Sequence, residues 1–125
     1  MMADTLELID EAMKELGIPY AFMQWNKPPP EIYFVGEYQE VESLTKEENG
    51  LQETSFILTG FTGGPWHLLI EAKEKIESGM PWTDSNEKQT VAVFYGSSMV
   101  VPTGVADLKR IQVNLIIKEW KGGLL

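Results

Sequence analysis

The chain has 125 residues, 43% hydrophobic and 23% charged, with a formal net charge of -9; this ordinary soluble composition predicts one folded domain over residues 1–125. An acidic chain without a basic stripe lacks the phosphate-neutralising surface that nucleic-acid binding rests on, and no apolar run approaches a membrane span. With no cysteine there is no disulfide, thiolate metal site or cysteine nucleophile, and the acidic start MMADTLELIDE lacks the basic flank of a signal peptide.

The charge is uneven. Residues 1–50 hold 3 basic against 11 acidic side chains, and residues 51–125 hold 7 against 8.

Residues 4–16 are predicted as a helix, because Leu6, Ile9, Met13 and Leu16 recur at helical spacing with Ala12 beside them. Asp4 and Glu7 resemble a capping box, and Gly17 with Pro19 ends the helix. Tyr20–Trp25 reads as a short strand, and Pro28, Pro29 and Pro30 then form a stiff extended connector. Ile32–Tyr38 (IYFVGEY) is the next strand, with Gly36 marking a bulge or a close backbone approach. From Glu37 to Glu53 the chain turns acidic, and Asn49-Gly50 predicts the tip of a long hairpin. A charged tip of this kind is ordinarily a solvated one. The carboxylates lack the Asp/Asn/Gly spacing of a calcium loop, so no metal site is predicted.

Leu51–Phe61 alternates in part and reads as a strand. A glycine corner (Gly60, Gly63, Gly64) leads from it into a helix over 65–78, with Pro65 at the first helical position. Leu69, Ile70, Lys73 and Ile76 lie on one side, and Glu71 pairs with Lys75. Residues 80–89 read as a loop and Thr90–Tyr95 as a buried strand. Gly96–Asp107 reads as irregular, with a turn around Pro102 and Gly104. The last strand is the clearest, Ile111, Val113, Leu115 and Ile117 alternating with Arg110, Gln112 and Asn114. Lys118–Leu125 reads as an apolar tail carrying Trp120, Leu124 and Leu125.

A glycine corner before a helix invites a phosphate-binding reading, but a Walker loop needs Lys and Ser/Thr where this chain has Pro65 and Trp66. Proline also withholds one of the amides an anion would use, and no G-x-G-x-x-G is present. The single histidine, His67, has no locatable nucleophile or orienting carboxylate, and reads as a helix-surface residue. No catalytic residue, cofactor or metal is therefore assigned. Trp25, Trp66, Trp82 and Trp120 sit at element edges or near the chain end, where aromatics serve as interface anchors or as core filler.

The proline-rich entry into IYFVGEY, the polar excursion through ENG, TSFILTGFT before the EAKEKIES helix, and the final RIQVNLIIKEW together resemble the tailed-phage tail-completion proteins. These are the tail-terminator and head–tail joining group, often carried on prophages. The resemblance implies an α+β fold with a mainly antiparallel sheet, two helices on one face, and the order α-β-β-β-α-β-β. It implies a non-enzymatic subunit, made in the bacterial host cytoplasm and built into the virion. There it forms a ring, as a hexamer, with the tail tube protein and the head connector protein as partners. In such a ring the acidic residues Glu37, Glu40, Glu42, Glu47 and Glu48 are expected to line the lumen and let DNA pass, and the four tryptophans to serve as contacts. The competing expectation is a small α+β ligand-binding or regulatory domain with an aromatic pocket.

Overall fold

The computed structural model describes residues 3–39 and 51–121. Its elements run α1 (Ala3–Glu15), β1 (Tyr20–Phe22), β2 (Ile32–Gln39), β3 (Leu51–Thr62), α2 (Trp66–Ser78), β4 (Trp82–Ser85), β5 (Gln89–Val101) and β6 (Lys109–Lys121). The expected α+β class is correct, and the chain has one strand more than the expected order.

The six strands form one sheet in the order β1-β2-β3-β6-β5-β4. Four of its five pairings are antiparallel, and β1 runs parallel to β2. The sheet is therefore mixed. Both helices cover the same face: Ile9 and Met13 of α1 and Leu69, Ala72 and Ile76 of α2 share one buried cluster with Phe34, Phe56, Leu58, Val113 and Leu115. α2 lies on the central pair β3–β6, whereas α1 contacts β1 and β4, the two edge strands, so the sheet curls around it.

The core follows from strand periodicity. Phe56 and Leu58 on β3 and the odd positions 111–117 on β6 point to the helices; Ile57, Phe61, Gln112 and Asn114 point to the opposite face. Two glycines make room for rings in this layer. Phe34 on β2 stands opposite Gly60 on β3, and a Cβ at Gly60 would lie 2.5 Å from its ring. A Cβ at Gly36 would meet the Phe56 ring at 2.7 Å and the Tyr20 hydroxyl at 2.6 Å. Gly36 thus marks a close approach rather than a bulge, since β2–β3 pairing runs unbroken through it.

The helix ends show why the chain stops where it does. At the end of α1, Gly17 adopts φ 73° while its N–H bonds to the Lys14 carbonyl at 3.0 Å and that of Ile18 to Met13 at 3.1 Å, a Schellman closure. At the start of α2, Pro65 is the residue before the helix (φ -67°, ψ 152°), not its first turn. The Thr62 hydroxyl, buried beside it, donates to the Glu31 carbonyl at 2.7 Å and accepts from Gly64 N–H at 3.0 Å. That clamp, more than the glycines, holds the corner, and Gly60 belongs to the strand before it.

Other expectations are corrected. β1 ends at Phe22 rather than Trp25, because Met23 turns the chain with φ 71° while its N–H reaches the Gly36 carbonyl at 2.7 Å. Residues 82–85 form an edge strand and not a loop, with Trp82 alone buried among exposed polar neighbours. β5 continues to Val101, past a register shift between Tyr95 and Ser97. A Cβ at Gly96 would come within 2.9 Å of the Asn114 carbonyl, so only glycine fits this bulge. β6 runs on to Lys121, taking in half of the predicted tail. On α2 the buried side is Leu69, Ala72 and Ile76, while Ile70 faces outward and Lys73 pairs with Glu77 at 3.4 Å.

Candidate functional site

The clearest surface features are apolar and lie at opposite edges of the sheet. On the β1–β2 edge, Phe22 stacks on Tyr38 with ring centroids 6.3 Å apart, and Met23 beside them is 58% exposed. At the far end of β5, Met99 and Val100 are 55% and 51% exposed, and Val105 in the following turn is exposed too. Trp66 and Ile70 make a smaller patch one turn apart on α2. Exposed apolar side chains that gather, rather than scatter, mark contact surfaces.

The β1 edge borders an open cleft of about 490 Å³ against α1, floored by Leu6, Tyr20 and Phe22 and rimmed by Glu7, Asp10, Glu11 and Lys14. Asp10 and Lys14 form an i,i+4 pair at 2.9 Å, and this hydrogen bond, with the Asp10 charge, raises the Lys14 pKa. A second hollow of about 370 Å³, between α1 and β4, is lined by Asp4, Glu7, Leu8, Glu11 and Asp84 among others. Among the described residues, no group of three or more His, Cys, Asp or Glu side chains is arranged to hold a metal ion.

The Tyr20 side chain lines the cleft. Its hydroxyl is buried and has no hydrogen-bond partner among the described residues, and burial, followed by the Asp10 charge, raises its pKa. The folded protein holds this proton more tightly than the unfolded chain. The associated stability is fully present below about pH 10, the usual tyrosine value, and is lost as pH rises through the folded-state value. Tyr20→Phe is expected to flatten the alkaline side of the stability profile and to change stability at pH 7 by less than about 1 kcal/mol, since no hydrogen bond is removed. Urea midpoints taken from pH 7 to 11 check this; an unchanged alkaline slope would refute it.

The buried polar groups at the opposite end of the core were not foreseen. The Thr5 hydroxyl donates to Glu119 Oε2 at 2.5 Å, and Gln89 Nε2 donates to Asp4 Oδ2 at 2.8 Å. Thr5, Gln89 and Glu119 are all buried, so this cluster ties the start of α1 to β5 and β6. Asp4 therefore anchors the helix to the sheet through Gln89. The intervals from Asp4 to Gln89 and from Thr5 to Glu119 exceed any that local spacing can reveal.

The residues singled out in the sequence are dispersed. Trp25 tilts against Tyr33 (5.2 Å between centroids), which stacks on Phe61 (5.2 Å), making an aromatic row on the face away from the helices. Trp66 is exposed on α2 and Trp120 half-buried on β6, while Trp82 is 8% exposed and belongs to the core, not to a contact surface. Glu37 is exposed on β2; Glu40, Glu42, Glu47 and Glu48 lie outside the described residues. His67 is exposed in the first turn of α2. The Met99–Val100 patch was missed, although a signal existed: Gly96–Ala106 is eleven residues without a charge.

No family model matches the chain and no curated protein matches it. The fold is similar to that of a solved protein structure, with a TM-score of 0.63 at 11% identity, over 91% of this chain and 94% of that one. At that identity the likeness concerns the fold alone.

Proposed function

We propose that the chain is a structural subunit of a phage tail-completion ring, which caps the tail tube and presents a surface to the head connector. The observation that carries the reading is the pair of exposed apolar patches on opposite edges of one sheet. Two different patches on one subunit give a heterologous contact, and heterologous contacts that close make rings. The resemblance in element order supplies the biological setting, and the fold class agrees with it. The acidic first half, with Glu37 exposed on β2, suits a bore past which DNA slides without sticking. In this reading the protein is not an enzyme, and its partners are copies of itself, the tube protein and the connector.

Light scattering coupled to size exclusion, from micromolar to millimolar chain, is the test. The expected result is a concentration-dependent closed oligomer, as a hexamer. A monomer throughout that range would sink the reading. One observation favours a second reading: the α1–β1 cleft is large enough for a small molecule. A strict monomer that binds an aromatic cation in this cleft, with chemical-shift changes confined to Leu6, Tyr20 and Phe22, would favour it.

A further inference from the structure

The sheet has an unguarded length of edge. β4 pairs with β5 only over Thr90–Val93, so among the described residues nothing pairs with the outer side of Gly96–Val101. Natural sheets protect such edges with charge, with proline, with bulges or by keeping them short; here the bulge at Gly96 lies at the start of the segment, and pairing with β6 is regular from Ser97 to Val101. This one has no charge and no proline within its six residues, and two of its side chains, Met99 and Val100, are more than half exposed. It is also held ready. In the turn that follows, Thr103 Oγ1 donates to the Leu108 carbonyl at 2.8 Å and accepts from Val105 N–H at 3.0 Å, and Arg110 Nη2 donates to the Pro102 carbonyl at 3.2 Å. The segment is therefore extended before any partner arrives, and little ordering remains to be done on binding.

The same chain carries a second free edge. Among the described residues β1 is bonded to β2 on one side only, and Tyr20 and Phe22 line the cleft against α1. The side chains match by face. Val100 stands opposite Ile111 and so lies on the helix side of the sheet, as do Tyr20 and Phe22, which stand beside Phe34 and Gly36. Met99 lies on the other side, as does Ala21, which stands beside Val35. The charges match as well. α1 has five acidic residues against one basic over Ala3–Glu15, and Glu7 and Glu11 rim the cleft. Residues 96–110 have two basic and one acidic, and Lys109 lies on the helix side, one strand in from the free segment.

We propose that Gly96–Val101 of each copy adds as an antiparallel strand to the outer edge of β1 in the next copy, with Val100 entering the Leu6–Tyr20–Phe22 cleft and Lys109 facing Glu7 and Glu11. Strand addition of this kind takes its affinity from backbone hydrogen bonds and its register from alternate side chains. The inference rests on the ring reading above and names the contact that builds the ring.

Because the chain has no cysteine, engineered thiols report the contact directly. Facing residues on neighbouring strands have Cα atoms roughly 4.5–5.5 Å apart, within disulfide reach. Ala21→Cys and Met99→Cys proteins are mixed and mildly oxidised, beside each protein alone and beside the double variant. The expected result is a disulfide-linked dimer from the mixture only, and a ladder of covalent multimers from the double variant. In parallel, Val100→Lys is expected to weaken self-association at least tenfold while the circular dichroism spectrum is unchanged. A full-size oligomer with no cross-link between these positions, or one untouched by Val100→Lys, would overturn the strand addition and leave the ring standing. A monomer with no cross-link at any concentration would overturn both.

Discussion

Phe34→Ala is expected to lower the free energy of unfolding by about 3–5 kcal/mol, the usual range for truncating a fully buried aromatic residue. Phe34 has no exposed surface and occupies the space above Gly60 on the neighbouring strand. Gly60→Ala attacks the same space from below. Its new methyl would sit 2.5 Å from the ring, a contact relieved only by moving the ring or the strand, and about 1–3 kcal/mol is expected for such overpacking. The two effects should not add. Once the ring is gone the methyl has room, so the double variant is expected to be more stable than the sum of the singles implies, by about 0.5–3 kcal/mol. Urea unfolding of the four proteins measures the cycle, and additivity within about 0.5 kcal/mol would mean that the ring and the glycine do not share their space.

Thr5→Val is expected to destabilise by about 1.5–3 kcal/mol, the range for a hydrogen bond to a charged group. The swap nearly preserves shape and removes the hydroxyl that donates to Glu119 at 2.5 Å, in a site where neither residue meets solvent. A carboxylate so enclosed is not re-solvated by water when a donor is withdrawn. Thr5→Ser keeps the donor and should recover most of the loss. If valine is as stable as threonine in urea unfolding while serine is destabilised, the methyl group rather than the hydrogen bond is what matters at this position.

What could be read in the sequence was whatever obeys a local period. The α1 stripe of Ile9 and Met13, the β3 pair Phe56 and Leu58, and the β6 row Ile111–Ile117 all turned inward as their spacing requires. β4 escaped because an edge strand with one buried residue, Trp82, shows no alternation, and its polar residues imitate a turn. The second half of β5 escaped because Gly96-Ser97-Ser98 also reads as a turn, and the bulge there breaks the period at that point. Ile70 was placed inward by a stripe drawn one residue too wide; the smaller Ala72 holds that position against the sheet. Gly60 was read with the corner glycines because its real partner, Phe34, is remote in the chain. Of the candidate surfaces, the aromatics were found by type but not by place. The Met99–Val100 patch has one signal in the sequence, the uncharged run Gly96–Ala106, and its exposure follows once β4 is known to begin at Trp82, opposite Val93.

The strand order also ranks the ladders by how far apart in the chain their partners begin. β5 and β6 close across a short turn, their innermost pair Val101 and Arg110 lying nine residues apart. β3 and β6 form the central seam, yet their innermost pair, Thr62 and Lys109, is 47 residues apart. Chain-closure entropy grows as the logarithm of that separation, which makes the seam about 1.5 kcal/mol harder to initiate than its neighbour. β1–β3 and β4–β6 are each contiguous in the chain, and a single seam with α2 laid across it joins them. The protein is thus two chain-local halves of one sheet, β1–β3 with its parallel edge pair and the β4–β6 meander, with one long-range weld, and the weld lies beneath the helix whose entry Thr62 clamps.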